Sequence, residues 1–527
     1  MNIGRDAQVP GAETVGHICD ARLDNVAIFT NGADIDNLDP QKAALWFDFE
    51  KEQKHGTFYS YGIGARVYGC IWPDRSVQPE MWQMKKTVQP LAFRMLNAAT
   101  GMVEIWNRNH FLDAGYYSVN WSLEADGEVI QQGKLDIKTP PLSKESIRIP
   151  YSKPAIEAGR EYRVYISAVL QKDELWAPAG HEVAWEQLDL PWRKEPEPEP
   201  AYTGQAPTYT ESGEMIIIAG ADFKYSFDKQ KGQLVSIIYQ GKEMLRSPIM
   251  LNLWRAPLSN ELDRWNVNSG RSIYWKEGFG NTIAAEMYSL GIDQLIHQPL
   301  TFEVEKNEHE VYVRVKDLNL FGLGEKGKTD LYIEGIRNSG IRNQYEFVIS
   351  GNGSMTIRHH LKPEGMMPLW FPRVGISAVL DKSLNQVAWY GRGPQENYPD
   401  RKTGYKVGIY SSTAQDMYEP YLQPQDYGLR TDNRWVRITD SHGTGMQISM
   451  NEHFNFSAQP YSTDNLTKAT YTYQLTEQDG ITFNLDYATS GVGCTARAIF
   501  TAYRAMPQVY ERVITIEPVF STTNAQK

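Results

Sequence analysis

The chain of 527 residues has few cysteines, no long apolar run and no cluster of basic side chains. Cys19, Cys70 and Cys494 lie far apart without the spacing of metal ligands, and we interpret them as free thiols. No apolar run reaches the roughly 18 residues of a membrane-spanning helix. The net charge is −11, and the absence of a Lys/Arg cluster makes nucleic acid a poor candidate partner.

The amino terminus, MNIGRDAQVPGAETVGH, also lacks the charged and then apolar pattern of a secretory signal peptide. The compartment therefore stays open between the cytoplasm and the periplasm. Aromatic side chains are abundant, with 14 Trp and 30 Tyr. Aromatic residues fill the cores of β-sandwiches, and their flat faces can also stack on the C–H groups of sugars.

Helical periodicity is scarce, and the pattern of the chain predicts a mainly β fold. Residues 88–190 alternate apolar and polar side chains and contain the hairpin signal Ala-Asp-Gly, which predicts an immunoglobulin-like β-sandwich. Residues 191–213 carry a Glu-Pro repeat that favours extended backbone, so we interpret them as a linker. Residues 214–520 show strand patterns separated by turn residues, which predicts one large antiparallel supersandwich.

Residues 1–87 differ from the rest of the chain. The segment QPEMWQMKKTVQ, residues 78–89, predicts a helix of two or three turns with Pro79 in its first turn and Pro90 at its end. The upstream segments ALWFDFEKE and GTFYSYGIGARVYGCIW have the pattern of buried strands. We expect this region to expose apolar surface unless a further portion covers it, through Trp46, Phe47, Phe49 and Trp72.

Five ordered stretches of the chain resemble family 2 glycoside hydrolases of the bacterial β-galactosidase type. They are WPDRSVQPEMWQMKKTVQPL, GYYSVNWSLEADGEVIQQGKLDI, GHEVAWEQLDL, NLWRAPLSNELD, and WYGRGPQENYPDR with the following DMYEPYLQPQDYGLRTDNRW. The resemblance covers roughly residues 60–515. It implies a remnant of a catalytic (β/α)8 barrel in residues 1–87, the immunoglobulin-like domain, and a final supersandwich similar in fold to galactose mutarotases.

The segment WYGRGPQENYPDR, residues 389–401, suits a rigid polar corner. Gly391 and Gly393 permit a positive φ, and the two prolines of the segment fix φ. Charged side chains, including Arg392, can pair across such a turn. Support of the fold or of a domain interface is our main interpretation, and direct sugar contact is the alternative. The residues expected to form this structural motif are Glu396, Asn397, Asp400 and Arg401.

The catalytic carboxylates that the resemblance implies are not found in this chain. Retaining glycosidases use two carboxyl groups about 5 Å apart, and in the resembled family one follows an Asn. The Asn-Glu pairs here begin at Asn260, Asn307 and Asn451, all within the final sandwich. Asp48 and Glu50 would share one face of a strand and are weak catalytic candidates, and the alternative is a solvated strand end. Trp46 is a candidate sugar platform.

The resemblance also implies active-site sodium and magnesium. The sodium ligand of the family is an Asn, whose place Tyr68 takes here, and the magnesium ligands belong to a part of the barrel that is absent. No cofactor is therefore evident. A late loop of the final sandwich lines the sugar pocket in the family, which makes Cys494, Thr495 and Arg497 substrate-binding candidates, with an ordinary hairpin as the alternative.

These features favour the C-terminal portion of an enzyme that hydrolyses terminal β-galactosides by a retaining mechanism. The chain would supply scaffold and one pocket loop to an N-terminal catalytic portion, and we expect a homo-oligomer. One alternative is a carbohydrate-binding module without chemistry. A second is an aldose-epimerase-like isomerase, which would need a His acid and a Glu base. The preferred sugar stays open.

Overall fold

The computed structural model describes most of the chain after residue 70. The described ranges are 25–28, 45–48, 70–72, 74–196, 202–261, 287, 290–322, 338–469, 471–493 and 499–520, with the first two described as backbone only. Within these ranges the fold is mainly β and the sheets are antiparallel, as the sequence predicts. No helix of the described part is long and apolar enough to cross a membrane.

The described residues of the region assigned to a barrel remnant form two strands and one helix. Strands β1 (Asn25–Ile28) and β2 (Leu45–Asp48) pair antiparallel, whereas the strands of a (β/α)8 barrel are parallel. The described residues therefore do not show a barrel remnant. Helix α1 (Pro79–Val88) lies where the sequence predicts it, with proline at its first position and basic residues in its last turn.

Seven strands after α1 form a sandwich of the immunoglobulin-like type. A sheet in the order β3-β4-β7 faces a sheet in the order β6-β5-β8-β9 around one apolar core. The hairpin between β5 and β6 turns through Asp126 and Gly127, which both have a positive φ, as the sequence signal predicts. The strands are β3 Leu91–Asn97, β4 Met102–Asn107, β5 Tyr117–Ala125, β6 Glu128–Leu135, β7 Lys144–Arg148, β8 Tyr162–Leu170 and β9 Glu182–Asp189.

A five-stranded antiparallel sheet follows. Its strands pair in sequence order, and they are β10 Thr208–Ser212, β11 Met215–Ala219, β12 Phe223–Asp228, β13 Gln233–Tyr239 and β14 Lys242–Glu243. Strand β10 lies within the segment that the sequence assigns to the linker. The Glu-Pro repeat ends before it, and the sequence TYTES has residues that favour strands and can pair with β11.

The largest sheet has twelve strands among the described residues and belongs to the supersandwich. Its strands are β15 Met250–Asn252, β16 Ile296–Lys306, β17 Glu310–Leu320, β18 Gly340–Ser350, β19 Met355–Glu364, β20 Arg373–Leu380, β21 Gln386–Gly393, β22 Lys406–Thr413, β23 Arg430–Thr439, β24 Gly445–Gln459, β25 Ile481–Thr489 and β26 Tyr510–Val519, with the short helix α2 Thr463–Lys468. The five-stranded sheet packs on it, for example through Phe227 and Phe347, whose ring centroids lie 5.1 Å apart.

The glycines of WYGRGPQENYPDR serve a purpose other than the predicted one. Neither Gly391 nor Gly393 has a positive φ. A Cβ on Gly391 would lie 2.1 Å from Oδ1 of Asn433, and a Cβ on Gly393 would lie 2.8 Å from the ring of Tyr410. The prediction about φ is therefore wrong, and close packing of β21 against its neighbours is the reason for glycine.

Candidate functional site

A cleft of about 440 Å³ lies where the segment around α1 meets the supersandwich. Four parts of the final sandwich line it together with residues from around α1: the loop after β15, the corner after β21, the segment between β22 and β23, and the turn after β25. Trp72 and Tyr421 form an edge-to-face aromatic pair at this place, with ring centroids 5.6 Å apart. The cleft thus combines aromatic surface with polar side chains.

Helix α1 is held against the corner after β21 by specific hydrogen bonds. The hydroxyl of Tyr405 donates to the carbonyl oxygen of Pro79 at 2.5 Å. The backbone N–H of Gly404 donates to the side chain of Gln83 at 2.9 Å. A Cβ on Gly404 would lie only 2.7 Å from Cα of Gln83, so glycine permits this approach. One wall of the cleft is therefore fixed to the supersandwich.

A buried guanidinium joins two carboxylates at this junction. Arg401 Nη2 lies 2.6 Å from Glu396 Oε1, and Arg401 Nη1 lies 3.0 Å from Glu80 Oε1. The hydroxyl of Tyr421 donates to Glu396 Oε1 at 2.5 Å, and the N–H of Gly428 donates to Glu396 Oε2 at 2.7 Å. Both oxygens of Glu396 are therefore occupied, and this carboxylate is unsuited to the role of a catalytic acid or nucleophile.

Burial shapes the electrostatics of this junction. Burial raises the pKa of Glu396, although the neighbouring Arg401 lowers it in part. Burial also raises the pKa of Glu419 to about 8, and the charge of Glu396 adds to this effect. The carboxyl group of Glu419 therefore carries a proton near neutral pH, which reduces its repulsion with Glu396.

The turn after β25 is held at its base by two charged side chains. Asp400 accepts the N–H of Val492 at 2.9 Å and the N–H of Gly493 at 2.8 Å, one on each carboxylate oxygen. Arg255 donates to the carbonyl oxygens of Ser490 at 2.6 Å and Gly491 at 2.9 Å. Because charged groups hold four backbone groups in succession, residues 490–493 form a rigid rim of the cleft.

The side chains around this clamp support it. Asn260 donates to the carbonyl oxygen of Val492 at 3.1 Å. Glu261 accepts from Arg255 at 2.7 Å and so neutralises a guanidinium that is fully buried. A Cβ on Gly491 would lie 2.3 Å from the carboxylate of Asp400, which leaves no room for a larger residue at this position.

One side chain of the cleft lacks hydrogen-bond partners. Gln423 is 2% exposed, and neither its amide oxygen nor its amide nitrogen has a partner within the described ranges. Gln425, two residues further on, accepts the N–H of Ser259 at 2.8 Å. Within the described ranges, the protein thus supplies a hydrogen-bond partner to the side chain of Gln425 and none to that of Gln423.

Three of the four predicted motif residues line the cleft, namely Glu396, Asp400 and Arg401, and Asn397 does not. Glu396 pairs with Arg401, and Asn397 accepts the N–H of Thr431 at 3.1 Å. Asp400 pairs instead with the backbone of the turn after β25. Arg392, expected to pair within the corner, contacts Asp432 on β23 at 2.6 Å.

The remaining sequence-predicted site residues are not tested by the described side chains. Trp46 and Asp48 lie on β2, of which only the backbone is described. The others lie outside the described residues, and they are Glu50, Cys494, Thr495 and Arg497. Trp72, expected to expose apolar surface, is 8% exposed because it packs on Tyr421, so that prediction is wrong for this residue. Phe47 and Phe49 are likewise not described as side chains.

Several cleft residues were missed by the sequence analysis. Glu80, Tyr421 and Gln423 were quoted within motifs without a role. The heptapeptide YEPYLQP could have indicated a binding site, since it combines polar and aromatic side chains with two prolines. Contact between α1 and the corner after β21 spans more than 300 residues of chain, and no local pattern indicates it.

The described residues do not fit the metals that the resemblance implies. Within the described ranges, no group of three or more His, Cys, Asp or Glu side chains is arranged to hold a metal ion. Tyr68, at the place of the expected sodium ligand, lies outside these ranges.

Comparison with protein families finds two matches. Residues 219–513 match the family described as the β-galactosidase small chain. Residues 103–191 match the family described as β-galactosidase, domain 4. The two matched segments cover most of the supersandwich and most of the seven-stranded sandwich.

Curated relatives carry the same name. A β-galactosidase of Priestia megaterium is 28% identical over 429 residues, which cover 81% of this chain and 38% of the relative. A β-galactosidase 2 of Enterobacter cloacae is 28% identical over 455 residues, which cover 84% of this chain and 41% of the relative. The chain thus spans about two fifths of the length of these curated relatives.

A solved galactose 1-epimerase from Lactobacillus acidophilus NCFM aligns with 59% of this chain and 97% of its own, at a TM-score of 0.31 and 8% identity. A TM-score at this level supports no inference about the activity of this chain.

Proposed function

Since the chain belongs to the β-galactosidase small chain family, we propose that it works as the C-terminal portion of an enzyme that hydrolyses terminal β-galactosides with retention of configuration. The two catalytic carboxyl groups of such a mechanism, about 5 Å apart, would come from an N-terminal portion. This chain would supply the scaffold and one wall of the sugar pocket. We also propose the division into residues 1–87, 88–190, 191–213 and 214–520.

The observation that carries this proposal is the clamped rim of the cleft. Asp400 and Arg255 hold residues 490–493 through four backbone hydrogen bonds of 2.6 to 2.9 Å. A rim held in this way can present its edge to a sugar without rearranging, which lowers the entropic cost of binding. The residues that follow the rim in the sequence include Cys494, Thr495 and Arg497, which we propose as substrate contacts.

The other motif residues would have a positioning role. The Glu396–Arg401–Glu80 group fixes α1 to the supersandwich and so sets the distance between the two walls of the cleft. Neither glutamate would transfer a proton, because Arg401 binds both. Asp48 and Glu50 become weak catalytic candidates only if the chain alone hydrolyses the substrate, and Trp46 is proposed as a candidate sugar platform.

The exposed apolar surface near α1 supports the proposal that another portion of the enzyme binds there. Val77, Met84 and Val88 are 46%, 47% and 69% exposed, and together they offer apolar area beside the cleft. A catalytic portion that covers this surface would complete the pocket. We also propose self-association, which light scattering of the purified chain would test: a monodisperse monomer contradicts it.

Hydrolysis tests the function. The purified chain should release no nitrophenol from nitrophenyl β-galactoside, and a mixture with the barrel-containing portion of a relative should do so. Proton NMR of the first-formed sugar should show the β-anomer, as retention requires. A mixture that hydrolyses nitrophenyl β-glucoside equally well would contradict the galactoside assignment.

A further inference from the structure

The unsatisfied amide of Gln423 is unusual for a folded protein. Native structures leave few buried polar groups without partners, because each such group costs stability. Gln423 lines the cleft and is 2% exposed, and both ends of its amide lack partners within the described ranges. A group of this kind beside a binding cleft indicates that a ligand supplies the partners.

The surroundings of Gln423 indicate the chemistry of that ligand. Glu80, which also lines the cleft, has a buried oxygen, Oε2, without a partner in the described part of the chain. Trp72 and Tyr421 add aromatic carbon to the same cleft. A ligand that suits this set carries hydroxyl groups side by side together with apolar C–H groups. A pyranose ring has both features.

We propose that Gln423 is a specificity-determining residue whose amide binds two neighbouring hydroxyl groups of a sugar, accepting from one and donating to the other. The inference rests on the proposed function, since it takes the ligand of the cleft to be a β-galactoside. The planar amide holds one acceptor and one donor group side by side. A sugar that lacks either hydroxyl leaves one end of the amide unpaired, and sites of that kind reject deoxy analogues strongly.

Gln425 provides a matched control in the same segment. Its amide oxygen accepts the N–H of Ser259 at 2.8 Å, so the protein itself uses this side chain. Replacing Gln425 by leucine removes a hydrogen bond from the folded state. Replacing Gln423 by leucine removes an unsatisfied group and loses no hydrogen bond within the described part of the protein. The two substitutions should therefore change stability in opposite directions.

The experiment measures binding to the full chain, without hydrolysis. Titration calorimetry uses methyl β-galactoside and its 2-, 3-, 4- and 6-deoxy analogues, and thermal unfolding gives Tm. Gln423→Leu should weaken binding of methyl β-galactoside about 10-fold, abolish the preference over two deoxy analogues at neighbouring positions, and raise Tm by about 1 to 3 °C. Gln425→Leu should lower Tm and keep that preference.

The possible results separate this inference from the proposed function. Failure of the unmodified chain to bind methyl β-galactoside overturns the inference, as does a Gln423→Leu chain with unchanged affinity and preference. If a mixture with the catalytic portion still hydrolyses the galactoside, the proposed function stands in both cases. If the chain binds through Gln423 and the mixture hydrolyses nothing, the inference stands and the proposed function fails.

Discussion

The ion pairs of Arg401 allow a quantitative test of what joins α1 to the supersandwich. The side chain of Arg401 is 7% exposed and that of Glu396 is 1% exposed, at a distance of 2.6 Å. Removing one partner of a buried pair leaves an uncompensated charge and costs about 3 to 5 kcal/mol. Arg401→Met should therefore lower the free energy of unfolding by about that amount. Urea unfolding followed by tryptophan fluorescence measures it.

Two further variants test whether the buried charge left by Arg401→Met causes the loss of stability. Arg401→Met with Glu396→Gln removes the guanidinium and the more buried of its two carboxylate partners, and it should recover about half of the loss, because an amide can be buried without a counterion. Arg94→Met changes an arginine that is 68% exposed and pairs with Glu104 at 3.3 Å, and it should cost less than about 1 kcal/mol. A double variant no more stable than Arg401→Met alone would refute this reasoning.

Three further predictions concern titration and the rim. Burial raises the pKa of Glu419 to about 8, so the stability that its protonated form contributes is complete below the unfolded pKa of about 4.3 and is lost as pH rises through 8. Glu419→Gln should therefore become more stable relative to the unmodified chain as pH rises from 5 to 8. A stability difference in urea unfolding that stays constant over this range would contradict this. Burial lowers the pKa of His359 to about 3. The stability that its neutral ring contributes is therefore present above about pH 6.5 and is lost as pH falls towards 3. An NMR titration in which this ring gains its proton near pH 6 would contradict this prediction. Asp400→Asn should raise KM of the complemented enzyme about 10-fold with a smaller change in kcat. The control Asp464→Asn, at a side chain 70% exposed, should leave both constants unchanged. Equal effects of the two substitutions on KM would contradict a role of Asp400 in holding the rim.

Local signals in the sequence are sufficient for much of the fold. The Ala-Asp-Gly signal fixes the β5–β6 hairpin because Asp126 and Gly127 alone determine the turn. The prolines at 79 and 90 bracket α1 because they act on the adjacent backbone. Period-2 alternation indicates the mainly β class without any knowledge of which strands pair.

The cleft depends on contacts that no local pattern contains. Glu80 and Arg401 form an ion pair although the whole immunoglobulin-like sandwich and part of the supersandwich lie between them in the sequence. The glycines of the corner after β21 were assigned to a positive φ, although Asn433 from another strand is the reason for Gly391. The Glu-Pro repeat likewise gives no sign that residues 208–212 would find a partner in β11.

Complementation tests whether this chain works as the C-terminal portion of a β-galactoside hydrolase. The chain is mixed in increasing amounts with the purified N-terminal portion of the Priestia megaterium relative, and release of nitrophenol from nitrophenyl β-galactoside is followed while gel filtration reports the complex. We expect that neither component hydrolyses the substrate alone and that activity rises with the complex until saturation. A complex that forms and stays inactive, or turnover by the chain alone, would contradict it.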